Sequence, residues 1–412
     1  MLHNHYTTNF FNCKVFLFMI NCAVICEYNP FHSGHKYQLD CIRKQAADNI
    51  ICVMSGAFVQ SASPAFCDKS IRAECAILGG ADAVIELPTL FSTASAQYFA
   101  EGAIKLIGGI KDIKYLAMGA TANRDEIMRV ADIKHENSAL FKDKLVKYMK
   151  NGKSYTAANN EISIRLYGDI YPDRPSIDYL FKDPNNILCI EYIGALRRIA
   201  PNIEPMIIAR RGAAYSETAT TGEHISATAV RTACDQGRSS EILRYLPYNA
   251  QKMLDWRAEH SPDISAYKKL ALYTLKCADI DYLAQLRDCS EGLEYLFKSL
   301  SHLSDLDRYA DGICGKRYSR KRVARFMLDA VLGIKKEHLQ YEFITRLLAA
   351  KNGFDFDILP KNVKSNNSDI KCAANGNSPV KDVLEIDIKA SALYNTLCSL
   401  DGGYYNYAVI KA

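Results

Sequence analysis

Short apolar runs alternate with helix-spaced apolar positions through the first half of the chain. The runs at 21–27, 50–54, 83–87, 113–117 and 204–209 are continuous and bounded by polar or turn residues, so they predict buried strands. Between them, apolar positions recur every three or four residues. That spacing predicts helices over 34–47, 68–80, 95–108, 124–133, 138–150, 156–168 and 186–200. Strand and helix in alternation predict an α/β fold, a doubly wound parallel sheet with right-handed crossovers. Ligands in such sheets bind at the carboxyl ends of the strands. Glu27, Ser55-Gly56 and Glu86-Leu87-Pro88 all fall at predicted strand ends, so they are expected to line one crevice.

From 226 to 350 the pattern turns almost purely helical. Leu243, Leu246 and Leu254, then Leu270, Leu272 and Leu275, then Leu293, Leu296 and Leu300 recur at near-helical spacing. Residues 360–381 hold Ser365-Asn366-Asn367-Ser368-Asp369 and Asn375-Gly376-Asn377-Ser378-Pro379, which read as a polar loop or linker. The runs from Val383 and from Tyr404 read as short strands. The expected division is a sheet domain over 19–235, a helical domain over 236–350 and a C-terminal segment over 351–412. No internal repeat is visible.

Composition narrows the class. The chain has 412 residues, enough for two or three domains, and its 49% hydrophobic and 24% charged content is that of a globular protein. A net charge of only +5 means that any affinity for nucleic acid must come from a local patch. The 14 cysteines are scattered and form no C-x-x-C, which fits buried thiols in a reducing, cytoplasmic setting. The apolar run 15–26 resembles a signal sequence. It is too short for a membrane span, which needs about 20 residues, and only Lys14 precedes it. Its second half reads better as the first strand. Residues 1–18 are expected to be an ill-ordered extension, with Met19 as the start.

The most informative stretch is Glu27-Tyr28-Asn29-Pro30-Phe31-His32-Ser33-Gly34-His35, directly after the first strand. It places two histidines on the first turn of a helix, where free backbone N–H groups and the helix dipole attract anions. Gly34 keeps that turn open to a phosphate. The imidazoles can then donate to oxygens on which charge develops. A zinc site is the rival reading of paired histidines. Against it, Cys22 and Cys26 read as buried strand residues and no third histidine follows closely.

Three further constellations carry chemistry. Ser226-Ala227-Thr228-Ala229-Val230-Arg231 offers hydroxyls that can cap a helix and an arginine that can neutralise a leaving pyrophosphate. Asn185 and Asn186 precede an apolar helix, where an amide can cap the helix or read an adenine or ribose edge. Arg210-Arg211-Gly212-Ala213-Ala214-Tyr215 follows a strand and can bring a guanidinium to phosphates. The run Lys316-Arg317-Tyr318-Ser319-Arg320-Lys321-Arg322-Val323-Ala324-Arg325 reads either as a solvated helix face or as a basic edge along RNA, with Tyr318 available for stacking.

Together these residues resemble the bacterial tRNA(Met) cytidine acetate ligase family, a branch of the nucleotidylyltransferase superfamily with HIGH-like motifs. The resemblance covers about 19–350 and rests on Val24 to His35, Met54-Ser55-Gly56, Asp82 to Pro88, Pro184 to Leu188 with Ile190 to Ile193, Ser226 to Arg231, and Lys316-Arg317-Tyr318. It implies a Rossmann-like, HUP-type nucleotidyltransferase domain followed by a helical tRNA-binding domain. It implies ATP along Ile25, Cys26, Glu27, Tyr28, Asn29, Pro30, Phe31, His32, Ser33, Gly34, His35, Lys36, Tyr37 and Gln38, with further contacts from Gly119, Asn185 and Arg210. Acetate would attack the α-phosphate to give acetyl-adenylate and pyrophosphate. The N4 amine of the wobble cytidine of elongator tRNA(Met) would then take the acetyl group, releasing AMP, which is carbon–nitrogen ligase chemistry. His32, His35, Ser226 and Arg231 are the expected catalytic groups. Lys316, Arg317, Arg320, Arg322 and Arg325 are the expected RNA contacts, Mg²⁺ is the expected companion of the triphosphate, and no membrane or obligate protein partner is expected.

Two loops depart from the family's pattern. Gln60-Ser61-Ala62-Ser63-Pro64 stands where the family has Gln-Arg-Gly-Glu-Pro, and Met118-Gly119-Ala120-Thr121 where it has Phe-Gly-Ser-Glu. Two other readings remain beside the ligase. One is a small-molecule adenylyltransferase, which would need neither the basic run nor the helical domain. The other is a non-catalytic RNA-binding protein, against which the intact His32, His35, Ser226 and Arg231 argue.

Overall fold

The computed structural model describes residues 20–45, 47–210, 225–248, 250–315, 317–376, 378–404 and 409–411. The expected 1–18 extension, Met19, Arg211 to Tyr215 and Lys316 lie outside them. Five parallel strands form the centre of the sheet: β1 (Asn21–Cys26), β2 (Asn49–Ser55), β3 (Ala83–Leu87), β4 (Ile113–Ala120) and β5 (Glu204–Ala209). The crossovers run through α1 (Ser33–Lys44), α2 (Lys69–Leu78), α3 (Thr89–Ser92), α4 (Ala96–Gly108), α5 (Arg124–Glu136), α6 (Ser138–Lys150), α7 (Tyr155–Ile170) and α8 (Pro184–Ile199). Side chains alternate across the pleat. Ala23, Ile51 and Val53 enter one core layer, while Cys22, Val24, Ile50, Cys52 and Met54 enter the other.

The chain continues through α9 (Ala227–Asp235), α10 (Ala250–Glu259), α11 (Ile264–Cys277), α12 (Ile280–Gln285), α13 (Leu293–Ser299), α14 (Leu306–Ile313) and α15 (Arg320–Leu332). Helices α11 to α15 enclose a separate apolar cluster containing Leu275, Leu293, Phe297, Tyr309 and Phe326. Residues just before it do not belong to that body: Ile242, Tyr245 and Met253 pack into the sheet's second core layer. The two bodies are tied together by Arg287. It pairs with Asp329 at 2.6 Å and donates to the carbonyls of Leu90 and Thr93, with no side-chain exposure.

The second half differs from its pattern at three places. The stretch expected to be helical up to 350 ends in a strand, β6 (Thr345–Ala350), which pairs antiparallel with β3. The strand order is β5-β4-β1-β2-β3-β6-β7, where β7 (Val363–Lys364) and the short β8 (Ile410–Lys411) both run parallel to β6. The expected 360–381 linker instead holds β7 and α16 (Asn367–Asn375), because Asn366 caps that helix by accepting from Asp369 N at 2.9 Å. The run from Val383, expected to be a strand, lies in α17 (Pro379–Leu397). Its alternation spans only a few residues. Val383, Ile386, Ala390, Leu393 and Leu397 keep helical spacing over the whole element, and Pro379 suits its first turn. Among the described residues no helix is long and apolar enough to cross a membrane.

Candidate active site

The turn after β1 is built to hold two histidine rings still. Tyr28 has φ 45° and precedes a cis Asn29–Pro30 bond. Phe66 N donates to Asn29 Oδ1 at 2.6 Å, and the Arg231 guanidinium donates to Asn29 O at 2.7 Å. His32 then caps α1: its Nδ1 accepts from Gly34 N at 3.1 Å, while His35 Nδ1 accepts from His32 N at 3.3 Å. With each Nδ1 accepting, the ring proton that can face the crevice is the one on Nε2. Burial, with His32 and Arg210 nearby, holds His35 well below the usual histidine range, so it is a neutral donor at physiological pH. Tyr28 and Phe31 are buried behind the rings, with Tyr28 meeting the His35 ring edge-on at 4.8 Å.

These rings open onto a crevice of about 470 Å³ at the carboxyl ends of β1, β4 and β5. Its walls include His32, Gly34, His35, Tyr37, Gln38, Gly119, Arg210 and Ile225. Of the expected ATP-contacting positions, His32, Gly34, His35, Tyr37, Gln38, Gly119 and Arg210 face this space; Ser33, Lys36 and Asn185 are not in its wall, and Lys36 pairs with Asp40 instead. The side chains of Tyr28 and Phe31 do not; they are core. Gly34 has a further constraint: a Cβ there would lie 3.0 Å from His32 Cε1 and press on the ring. Gly119 lets Arg210 lie against β4, since a Cβ would meet Arg210 Cγ at 3.3 Å. Arg210 in turn donates to Asn185 Oδ1 at 3.3 Å.

The two adjacent asparagines have different tasks. Asn185 is held by Asp183, the cap of α8, and presents its oxygen to Arg210. Asn186 is buried and accepts from Thr121 N at 3.1 Å and Ala122 N at 3.3 Å, fixing the loop after β4. Ser226 caps α9, accepting from Ala229 N at 3.0 Å. Arg231 also donates to Thr228 Oγ1 at 3.1 Å, so α9 and the motif turn form one unit.

Sequence reasoning missed two buried groups at the strand ends. Arg72 is fully buried and donates to the carbonyls of Glu27 at 2.7 Å, Ser55 at 3.0 Å, Gly56 and Cys67 at 3.1 Å, thereby tying the ends of β1 and β2 together. Lys69 grips both oxygens of Glu86 at 2.7 and 2.8 Å, and Gly56 leaves room for that carboxylate. Nothing local in Asp68-Lys69-Ser70-Ile71-Arg72 marks these charges as interior.

The basic run is corrected in part. Arg322 is bonded to Glu291 at 3.3 Å, Ser290 Oγ at 2.5 Å and the Asp288 carbonyl. Arg325 pairs with Asp288, and Arg320 pairs with Asp311. The Arg322 and Arg325 side chains keep only 13% and 12% exposure, so they tie elements together more than they form an open edge. Tyr318 was expected to be available for stacking. It is buried in the helical cluster, where its hydroxyl donates to Glu291 O at 2.8 Å. Arg317 and Lys321 remain exposed. Among the described residues no group of three or more His, Cys, Asp or Glu side chains is placed to hold a metal ion.

A sequence profile of the HIGH Nucleotidyl Transferase family matches residues 19–403. A tRNA(Met) cytidine acetate ligase of Clostridium perfringens is 31% identical over 385 residues, covering 91% of this chain and 94% of that protein. One from Caldanaerobacter subterraneus is 32% identical, covering 76% and 78%. The chain belongs to this ligase family. The crystal structure of Thermotoga maritima TmcAL bound with alpha-thio ATP superposes on this chain with a TM-score of 0.80 at 26% identity, over 96% of this chain and all of that one. An apo form of the same protein gives 0.82.

Within the ligase family, the loop at 60–64 is a departure that the fold accommodates. Gln60 N donates to Glu27 Oε1 at 2.9 Å, and Ala62 takes φ 60° in the turn between the paired Phe58 and Pro64. At 118–121 the other departure sits on β4, where Thr121 Oγ1 donates to Asp183 at 2.7 Å.

Proposed function

We propose that this chain is an ATP-dependent ligase that activates acetate as acetyl-adenylate and transfers the acetyl group to N4 of the wobble cytidine of elongator tRNA(Met). The observation that carries this reading is the convergence of His32, His35, Gly119 and Arg210, with Asn185 bonded to Arg210, on one crevice at the carboxyl ends of the strands. In this reading ATP lies along α1's first turn, with its phosphates on the backbone N–H groups there. The imidazoles of His32 and His35 donate from Nε2 to the α-phosphate while acetate attacks and pyrophosphate leaves. His35, being uncharged, adds direction without repelling its neighbour. Arg210 and Asn185 hold the nucleotide. Ser226 and Arg231, through α9, keep the turn in register and lie beside the leaving pyrophosphate.

The amine then attacks the acetyl carbonyl, and AMP departs. Arg317, Lys321 and the flanking helical surface are the proposed RNA contacts. Mg²⁺ would come with the triphosphate; the described side chains do not form a resident site for it, and no step here passes through one. A cytoplasmic setting belongs to the same proposal. The test is to incubate the protein with ATP, labelled acetate and elongator tRNA(Met). Label in the anticodon cytidine, absent without ATP, is the expected result. ATP consumption without label would turn the reading to the small-molecule transferase, and tRNA binding without either would turn it to the binding protein.

A further inference from the structure

A second cleft, of about 1500 Å³, lies between the sheet domain and the helical body. It is walled on one side by Tyr98 and Tyr155, and on the other by Arg317 and Lys336. Arg322, Arg325 and Asp288 line it too; Arg322 and Arg325 are bonded to Glu291 and Asp288, and Lys336 donates to the Ala284 carbonyl at 2.8 Å. Aromatic rings beside an exposed arginine are a lining that single-stranded nucleic acid takes: bases on rings, a phosphate on the charge. Tyr155 is committed, its hydroxyl donating to Gln97 Oε1 at 2.8 Å. The hydroxyl of Tyr98, in contrast, has no hydrogen-bond partner among the described residues, and neither has the Arg317 guanidinium.

We propose that this cleft seats unpaired nucleotides of an RNA loop, with a base on Tyr98 and a phosphate on Arg317. The inference rests on the function proposed above and adds where the RNA lies. The experiment measures the affinity of an anticodon stem-loop of elongator tRNA(Met) for the full chain and its variants. Arg317→Glu is expected to weaken binding about tenfold and to lower the salt slope by about one. Tyr98→Leu is expected to weaken it about tenfold, and Tyr98→Phe, which keeps the ring, less. Ultraviolet crosslinking of the wild-type complex should map an RNA adduct to Tyr98. If the wild type acetylates tRNA while Arg317→Glu and Tyr98→Leu bind the stem-loop as tightly as it does, the cleft assignment is overturned alone. If the wild type acetylates no tRNA, the function falls and the cleft assignment with it.

Discussion

The imidazole rings of His32 and His35 stack with centroids 3.8 Å apart and planes 27° from parallel. Two charged rings at that distance would repel, and each ring accepts from its own backbone donor, Gly34 N for His32 and His32 N for His35. His35→Ala is expected to lower acetate-dependent pyrophosphate exchange by about 10²- to 10³-fold. It should leave tRNA affinity nearly unchanged. Equal loss of both would show that the ring supports the fold and not the chemistry.

The depressed His35 pKa sets a pH expectation. A free histidine protonates near pH 6.5. In the folded chain His35 stays neutral below that value. Between its folded value and about 6.5 the unfolded chain binds a proton that the folded chain does not. This group's share of stability is therefore full above about pH 6.5 and fades as pH falls. A titration of the His35 ring resonances should show no protonation between pH 6 and 8; a midpoint within that range would refute the neutral donor.

Gly119→Val should act on nucleotide binding. The added carbons would push Arg210 from β4 and loosen its bond to Asn185. We expect the KM for ATP to rise about tenfold, the loss of one hydrogen bond to a charged group, with the melting temperature within a few degrees of wild type. An unchanged KM would remove Arg210 from the site.

Arg322→Ala separates structure from RNA contact. Asp288 and Glu291 would lose a buried partner, at a cost of about 2 kcal/mol or more. The expected signature is a lowered midpoint in denaturant, with a salt slope of tRNA binding unlike that of Arg317→Glu. A change of slope without loss of stability would return Arg322 to the RNA surface.

Asp387, on α17, is buried, and burial together with Glu86 lifts its pKa to about 7. Its Oδ1 accepts from Thr89 N at 2.6 Å, while Oδ2 has no hydrogen-bond partner among the described residues. The unfolded carboxyl ionises near 3.9. As pH rises from about 4 to 7, the unfolded chain releases a proton that the folded chain keeps, so wild-type stability falls. Asp387→Asn keeps the acceptor without the charge. It should be more stable than wild type at pH 8, by a margin that shrinks towards pH 4. A margin independent of pH would assign the effect to packing.

The five parallel strands and the helices between them were legible because each strand is apolar on both faces, and each helix carries a stripe. β6 was not legible: Arg346 interrupts Thr345 to Ala350, and its charge is absorbed by Asn367 and the Tyr404 carbonyl, which lie far along the chain. In the site, His32 and His35 were read from the residues themselves, while Gly119, and the commitment of Asn185 and Arg210 to ATP, entered only through the family resemblance; the fold brings Gly119 and Arg210 to the same crevice as the histidines. The allotment of the basic run was not, because Arg322 and Arg317 differ only in their distance from Asp288 and Glu291, some thirty residues upstream in sequence. Arg72 left no local trace at all.

The antiparallel pairing of β6 with β3 has a consequence for synthesis. Until translation has passed Ala350, β3 is an edge strand, and Ala83, Val84 and Ile85 have no neighbour on that side. The nascent chain thus carries an open, apolar, pairing-competent edge throughout the making of the helical body. That interval is when chaperone capture or intermolecular strand pairing competes with folding, and β6 is the segment that ends it.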